Sequence, residues 1–176
     1  YTQKALEFNG NNLYNRARNE LNIGTTFQVL GNYKKTEEYY LKALKTAKSA
    51  NKNERLIALI QFEMARLKSD LKEYKSANYY YDLALTHFET VNDLLMMAEL
   101  NNSLGKTNHE RSAYNLAIKN FTKALELSKS INSPSTEAHA NYHLGLTYLK
   151  TKDYKNATSY LLRAQEAFRG LQYTNM

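Results

Sequence analysis

Residues 112–125 read SAYNLAIKNFTKAL, and three other stretches repeat the pattern: GNYKKTEEYYLKAL (31–44), KEYKSANYYYDLAL (72–85) and KDYKNATSYLLRAQ (152–165). Aligned on Tyr33, Tyr74, Tyr114 and Tyr154, the stretches lie 41, 40 and 40 residues apart. Three residues after each tyrosine comes a small residue: Thr36, Ala77, Ala117, Ala157. Seven after comes a bulky one (Tyr40, Tyr81, Phe121, Leu161), and ten after is always alanine (Ala43, Ala84, Ala124, Ala164). Nine before each tyrosine stands another small residue, Gly24, Ala65, Gly105 or Gly145, preceded by Ile23, Met64, Leu104 or Leu144. A frame that recurs four times at several independent positions marks a repeat architecture.

Offsets of three, seven and ten trace one face of a helix. The small residue nine before the tyrosine lets a second helix approach closely, while the tyrosine and the bulky residue fill the remaining space. Each unit therefore reads as two helices. The second helix continues through Ala47/Ala50, Phe88/Val91 and Phe168/Leu171, with only Ile131 in the third unit. It stops at Asn51, Asn92 and Asn132, a residue type that tolerates the left-handed position after a helix. New helices start after Asn53, Asp93 and Ser133, the last followed by Pro134, whose missing N–H costs nothing at a helix start. Gly31-Asn32, Leu71-Lys72 and Lys152-Asp153 supply short polar turns inside the units. The units run over about 13–51, 53–92, 93–132 and 134–172, forming one domain over 1–176, and residues 1–10 resemble the tail of a preceding second helix.

Composition agrees. The chain has 176 residues, one proline and six glycines, too few turn-formers for an all-β fold. It has no cysteine, which excludes disulfides, thiolate nucleophiles and Cys-ligated metals and leaves the compartment open. No stretch approaches the ~18 apolar residues of a membrane span, so no membrane insertion is expected. Tyr1 in place of an initiator Met suggests a piece of a longer protein.

The repeated frame resembles the tetratricopeptide-repeat family: a small residue in the first helix, an aromatic at the turn, then alanine, aromatic and alanine down the second. All four units carry it, so the resemblance covers essentially the whole chain. The usual period is about 34; the 40–41 here resembles the extended repeats of bacterial peptide-sensing regulators and scaffold proteins. Three positions depart: Thr36 replaces the first alanine, and Lys68 and Asn108 stand where Phe27 and Tyr148 supply an aromatic, so the third unit's first helix is expected to end loosely.

The resemblance implies an all-α fold, a right-handed α-α superhelix of four helix–turn–helix repeats plus a partial N-terminal helix. Its concave face would be lined by first helices and would hold a protein or peptide without chemistry. Carried over, the partner-binding residues are Arg18, Asn22 and Thr25; Phe62, Glu63 and Arg66; Glu99, Asn102 and Lys106; and His139, Tyr142 and His143. Asn22 and Asn102 are singled out because a side-chain amide can pair with a peptide backbone of any sequence. Chaperone-tail-binding members need Lys, Asn, Asn, Lys and Arg. Those places hold Leu21, Thr25, Glu63, Glu99 and Ser103, or one unit later Phe62, Arg66, Ser103, His139 and His143. Neither frame clamps a terminal carboxylate.

Chemistry has little to stand on. His139 and His143 share a helix face at metal-chelating spacing, but no third ligand or glutamate base accompanies them. His87 and His109 are isolated. No phosphate loop or nucleophile elbow is present. No cofactor, no metal and no enzymatic activity are expected. The net charge of +7 raises nucleic acid as a partner. The tyrosines fall on packing positions, however, and the lysines cluster on turns and second helices rather than in one groove, so nucleic acid is not expected either. Leu161, Leu162, Phe168 and Leu171 on the last helix suggest self-association through that end. A peptide-sensing regulatory domain of a bacterial signalling or transcriptional regulator is the alternative to a scaffold.

Overall fold

The computed structural model describes the backbone of residues 2–50 and 53–173 and the side chains of 12–50 and 53–171. Eight helices follow one another, with no strand among the described residues: α1 (Thr2–Val29), α2 (Tyr33–Ser49), α3 (Glu54–Asp70), α4 (Tyr74–Thr90), α5 (Leu94–Glu110), α6 (Tyr114–Ser130), α7 (Pro134–Lys150) and α8 (Tyr154–Tyr173). Each conserves the hairpin read from the sequence. One expectation fails at the N-terminus: residues 2–10 are not a separate tail, because α1 runs through Gly10 without a turn. A lone glycine lowers helix propensity by about 1 kcal/mol, which does not stop a helix that continues on both sides.

The chain divides into two compact units, residues 1–90 and 91–176, each holding four helices. In the first, α1 packs on α2, α2 on α3, α3 on α4, and α1 also meets α3. In the second, α5 packs on α6, α6 on α7, α7 on α8, and α5 meets α7. Within each unit the two first helices therefore lie side by side, while among the described residues the two second helices do not touch.

The repeated positions explain this packing. A Cβ built on Gly24 would stand 2.5 Å from the Tyr40 ring, one on Gly105 2.6 Å from Phe121, and one on Gly145 2.6 Å from Leu161. The bulky residue of the second helix thus sits directly on the backbone of the first. Tyr40, Tyr81 and Phe121 are buried, as are the alanines at Ala43, Ala84, Ala124 and Ala164. Tyr40 joins Met64 and Leu67 in the first unit, and Phe121 joins Ala117, Ala124, Leu125, Ala140 and Leu144 in the second. The turn tyrosines behave otherwise. Tyr154 is 62% exposed and Tyr33 38%, with Tyr74 and Tyr114 half-buried. They open the second helix at the hairpin's edge and lie over the turn rather than in the core.

Turn chemistry follows the sequence closely. Asn92 and Asn132 take left-handed φ of 52° and 49°, and Gly31, Lys72, Ser112 and Lys152 do the same inside the hairpins; Asn51 lies outside the described residues. Asn32 caps α2 through Lys35 N (3.2 Å) and Asp93 caps α5 through Met96 N (3.1 Å). Asn53 makes no capping bond and leaves its Nδ2 buried without a partner. Ser133 engages the Thr136 hydroxyl at 3.0 Å instead of a backbone N–H.

The two departures in the aromatic position are compensated by their partners. Phe27 stacks on Tyr39 and Tyr148 on Tyr160. In the third hairpin both rings are replaced together: Asn108 Nδ2 donates to Asn120 Oδ1 (2.9 Å), and Asn120 Nδ2 to Asn101 Oδ1 (3.4 Å). Arg111 Nε closes the chain on Asn108 Oδ1 at 2.9 Å. Asn108 is 3% exposed, and α5 is as long as α3 and α7, so the expected loose end is instead ordered by a buried amide network. Lys68 bridges Glu37 (2.7 Å) and Glu73 (3.0 Å), joining α3 to α2 and to the following turn.

Two glycine substitutions test the close approach. Gly105→Ala forces Phe121 off its seat and should destabilise the protein by about 1–3 kcal/mol. Gly170→Ala, at a helical site with nothing near the added Cβ, should stabilise by up to about 1 kcal/mol. Urea denaturation followed by circular dichroism reads both, and equal effects of the same sign would contradict the packing described.

Candidate functional site

The residues expected to meet a partner all lie on α1, α3, α5 and α7, which adjoin as α1 with α3 and α5 with α7. In the first unit Arg18, Asn22, Thr25 and Arg66 are exposed and Glu63 is half-buried. Arg66 Nη1 grips both carboxylate oxygens of Glu63 (3.1 and 3.2 Å), and its guanidinium lies 6.0 Å over the Phe62 ring. Phe62 itself is 6% exposed and packs toward Tyr81, so it forms the floor beneath Arg66 rather than the surface. Its position on the helix is right, but an aromatic ring beside the buried Tyr81 gains more from burial than from water.

Thr25 connects this face to the core. Its hydroxyl lies 3.2 Å from the Tyr40 Oη, which donates to Gln28 Oε1 at 2.8 Å, and Gln28 Nε2 donates to Asp70 Oδ2 at 2.9 Å. Burial pushes the Tyr40 phenol up to about 12, so it stays a donor at any ordinary pH. Three polar links thus tie α1, the buried ring of α2 and the end of α3 together.

In the second unit Glu99, Lys106, His139 and Tyr142 are exposed, and Asn102 and His143 are half-buried. Asn102 is already engaged: its Nδ2 donates to the Thr136 carbonyl of α7 at 3.3 Å, and its Oδ1 is buried without a partner. It holds α5 against α7, whereas Asn22 offers its amide at an exposed position. Lys106 lies 3.8 Å from Glu110, a loose exposed pair of small energetic weight.

His143 stacks flat on Phe121 (centroids 5.2 Å, planes 11° apart) and meets the Tyr142 ring edge-on. Burial pushes its pKa down to about 4, and the charged neighbours that add to this, His139, Lys106 and His109, are all basic. His139 turns its ring to Phe168. The two imidazoles are therefore committed to different aromatic partners, and among the described residues no group of three or more His, Cys, Asp or Glu is placed to hold a metal. No described helix is long and apolar enough to cross a membrane.

His109, isolated in the sequence, is drawn into this face. Its Nδ1 lies 2.9 Å from the Thr147 Oγ1, and that hydroxyl donates its one proton to the His143 carbonyl at 2.7 Å. The imidazole must therefore be the donor, which fixes its proton on Nδ1. Burial lowers its pKa, Lys150 adds to that, and Glu110 opposes it. The missed signal lies in the repeat spacing, since a residue of α5 meets one 34 to 38 positions later on α7, as in Asn102–Thr136 and His109–Thr147.

The tetratricopeptide repeat family profile matches residues 96–170, within the second unit. The same positions recur at the same spacing in the first unit. Sequence comparison with curated proteins returns no match. Among solved structures the chain is similar to BtubC (BKLC) from P. vanneervenii, with TM-score 0.78 and 21% identity over 89% of this chain and 64% of that one. It is also similar to aspartyl phosphate phosphatase F from Bacillus subtilis, with TM-score 0.85 and 16% identity over 90% of this chain and 42% of that one. A signal transduction ATPase with numerous domains and a tetratricopeptide repeat sensor, from Pyrococcus horikoshii, matches with TM-score 0.76 and 20% identity over 87% of this chain and 23% of that one. The chain spans less than two thirds of each of these proteins, and at such identities the likeness is one of fold.

The His143 environment predicts a pH dependence. Its folded pKa lies below the ordinary value of 6.5, so the unfolded chain binds more protons in that window. Stability present above pH 6.5 should fall as the pH drops toward about 4. Urea midpoints measured across that range should decline in the parent and decline less in His143→Gln; parallel curves would contradict the assignment.

Proposed function

We propose that this chain, whose residues 96–170 match the tetratricopeptide repeat family, is a non-enzymatic scaffold that binds a protein or peptide on the first-helix faces of its units. The observation that carries this reading is the division of labour within each unit. Buried positions pack the hairpins, while the adjoining first helices present exposed charged, amide and aromatic side chains. Arg18, Asn22 and Arg66 would set register in the first unit, and Lys106, His139 and Tyr142 would do so in the second. Asn102 acts as a spacer holding α5 to α7, and Phe62 as the floor under Arg66.

A second reading is favoured by one observation. A similar solved structure carries a tetratricopeptide repeat described as a sensor, which supports a peptide-sensing regulatory domain in a longer signalling protein. The two readings share the same binding faces and differ in needing an attached output domain. Self-association through α8 is a separate proposal resting on Leu162, which is 53% exposed, since Phe168 and Leu161 are half-buried toward α7.

Peptides selected from a random display library on this chain provide the test. Asn22→Ala with Arg66→Ala, and Lys106→Ala with Tyr142→Ala, should each weaken a selected peptide about ten-fold or more, equivalent to ~1.4 kcal/mol. Lys45→Ala with Lys123→Ala on the second helices should leave affinity unchanged; the reverse pattern would overturn the proposal. Light scattering over a concentration series should show a dimer that Leu162→Ser abolishes, and a monomer at every concentration would remove the self-association proposal.

A further inference from the structure

Three of the chain's four histidines converge in the second unit, two of them four residues apart on α7 and the third on α5, thirty residues earlier. His109 of α5 reaches α7 through the Thr147 hydroxyl, which also holds the His143 carbonyl, and His139 lies one turn before His143. Lys106 of α5 faces the same group, and Tyr142, 41% exposed, stands edge-on beside it. We propose that this part of the α5–α7 face takes an acidic polypeptide segment, its carboxylates seated between Lys106, His139 and His143, and that binding takes up protons. The inference rests on the first-helix reading above and names the chemistry of the partner there.

The charge distribution argues for it. Every charged group that bears on His143 is basic: His139 on α7, and Lys106 and His109 on α5. The helices packed on the other side set a ring against each imidazole, Phe121 of α6 on His143 and Phe168 of α8 on His139. Glu110 pairs loosely with Lys106 and opposes Lys150 at His109. Glu99 lies one turn before Asn102, which crosses from α5 to Thr136, and Glu137 follows Thr136 on α7. An unliganded His143 is therefore held neutral by burial among cations. A carboxylate arriving there supplies the missing opposite charge, pairs with Lys106, and raises the proton affinity of the His143 imidazole. The exposed Tyr142 ring adds contact area for the segment's apolar side chains.

Fluorescent octaglutamate is the probe, with octaserine and an oligothymidylate of equal charge as comparators at constant ionic strength. Glutamate carboxylates remain ionised at pH 5.5, so octaglutamate should bind about ten-fold tighter at pH 5.5 than at pH 7.5 as one imidazole is drawn into protonation. The gain should disappear in His139→Gln with His143→Gln and persist in Lys45→Gln with Lys48→Gln, which lowers charge on α2 instead. In the parent protein, octaglutamate should raise the NMR titration midpoint of the His143 ring protons, a readout that needs no variant to fold. Failure to bind, pH-independent binding, a gain that survives the double histidine variant, an unmoved midpoint, or tighter binding of the oligothymidylate would each overturn the inference. If octaglutamate fails while library-selected peptides still map to the first-helix faces, only this inference falls; if those peptides map elsewhere, the first-helix reading falls with it.

Discussion

Everything in this protein depends on how closely the second helix of each hairpin can approach the first. Where Gly24, Gly105 and Gly145 leave no side chain, the ring or branched chain of Tyr40, Phe121 or Leu161 rests on bare backbone. That contact sets the hairpin spacing, and the alanines on the neighbouring turns keep the rest of the seam narrow enough for the next helix to enter. Because the frame recurs every 40 or 41 residues, the glycine contact is applied three times, with Ala65 at the same position in the second hairpin.

Two consequences follow for the surface. With the interior filled by the repeated positions, variation is confined to residues that either face outward on the first helices or sit at the hairpin's end. The end position shows how strict the interior remains. An aromatic pair is exchanged for an amide pair only when both members change, as with Asn108 and Asn120, and a lysine enters at Lys68 only with two carboxylates to meet it. The outward positions show no such coupling across repeats. Arg18, Glu99 and His139 occupy one register, and Asn22, Glu63 and His143 another, with a different side chain at each step. Such freedom suits a surface whose chemistry answers to a partner rather than to the fold.

The fold was legible because its signal is redundant. Four copies of one frame fix hairpins, turns and buried alanines even where a single copy is ambiguous, and the left-handed Asn92 and Asn132 follow from residue type alone. The site was legible only as positions on a helix. Whether Phe62 reaches the surface depends on Tyr81 beneath it, and whether the Asn102 amide is available depends on a carbonyl of another helix. The turn tyrosines were misplaced for a related reason, since a recurring aromatic signals packing but not how deep the packing goes. His109 was passed over because its neighbours in space, Thr147 and His143, are more than thirty residues away in sequence.

The central claim is that the first-helix faces are the binding surface. Backbone chemical-shift mapping of the isotope-labelled chain with a library-selected peptide tests it most directly. The account predicts perturbations concentrated on the exposed residues of α1 and α3 or of α5 and α7, including Arg66, Lys106 or Tyr142. Perturbations confined to the outward faces of α2, α4, α6 and α8, with those first-helix residues unmoved, would contradict it.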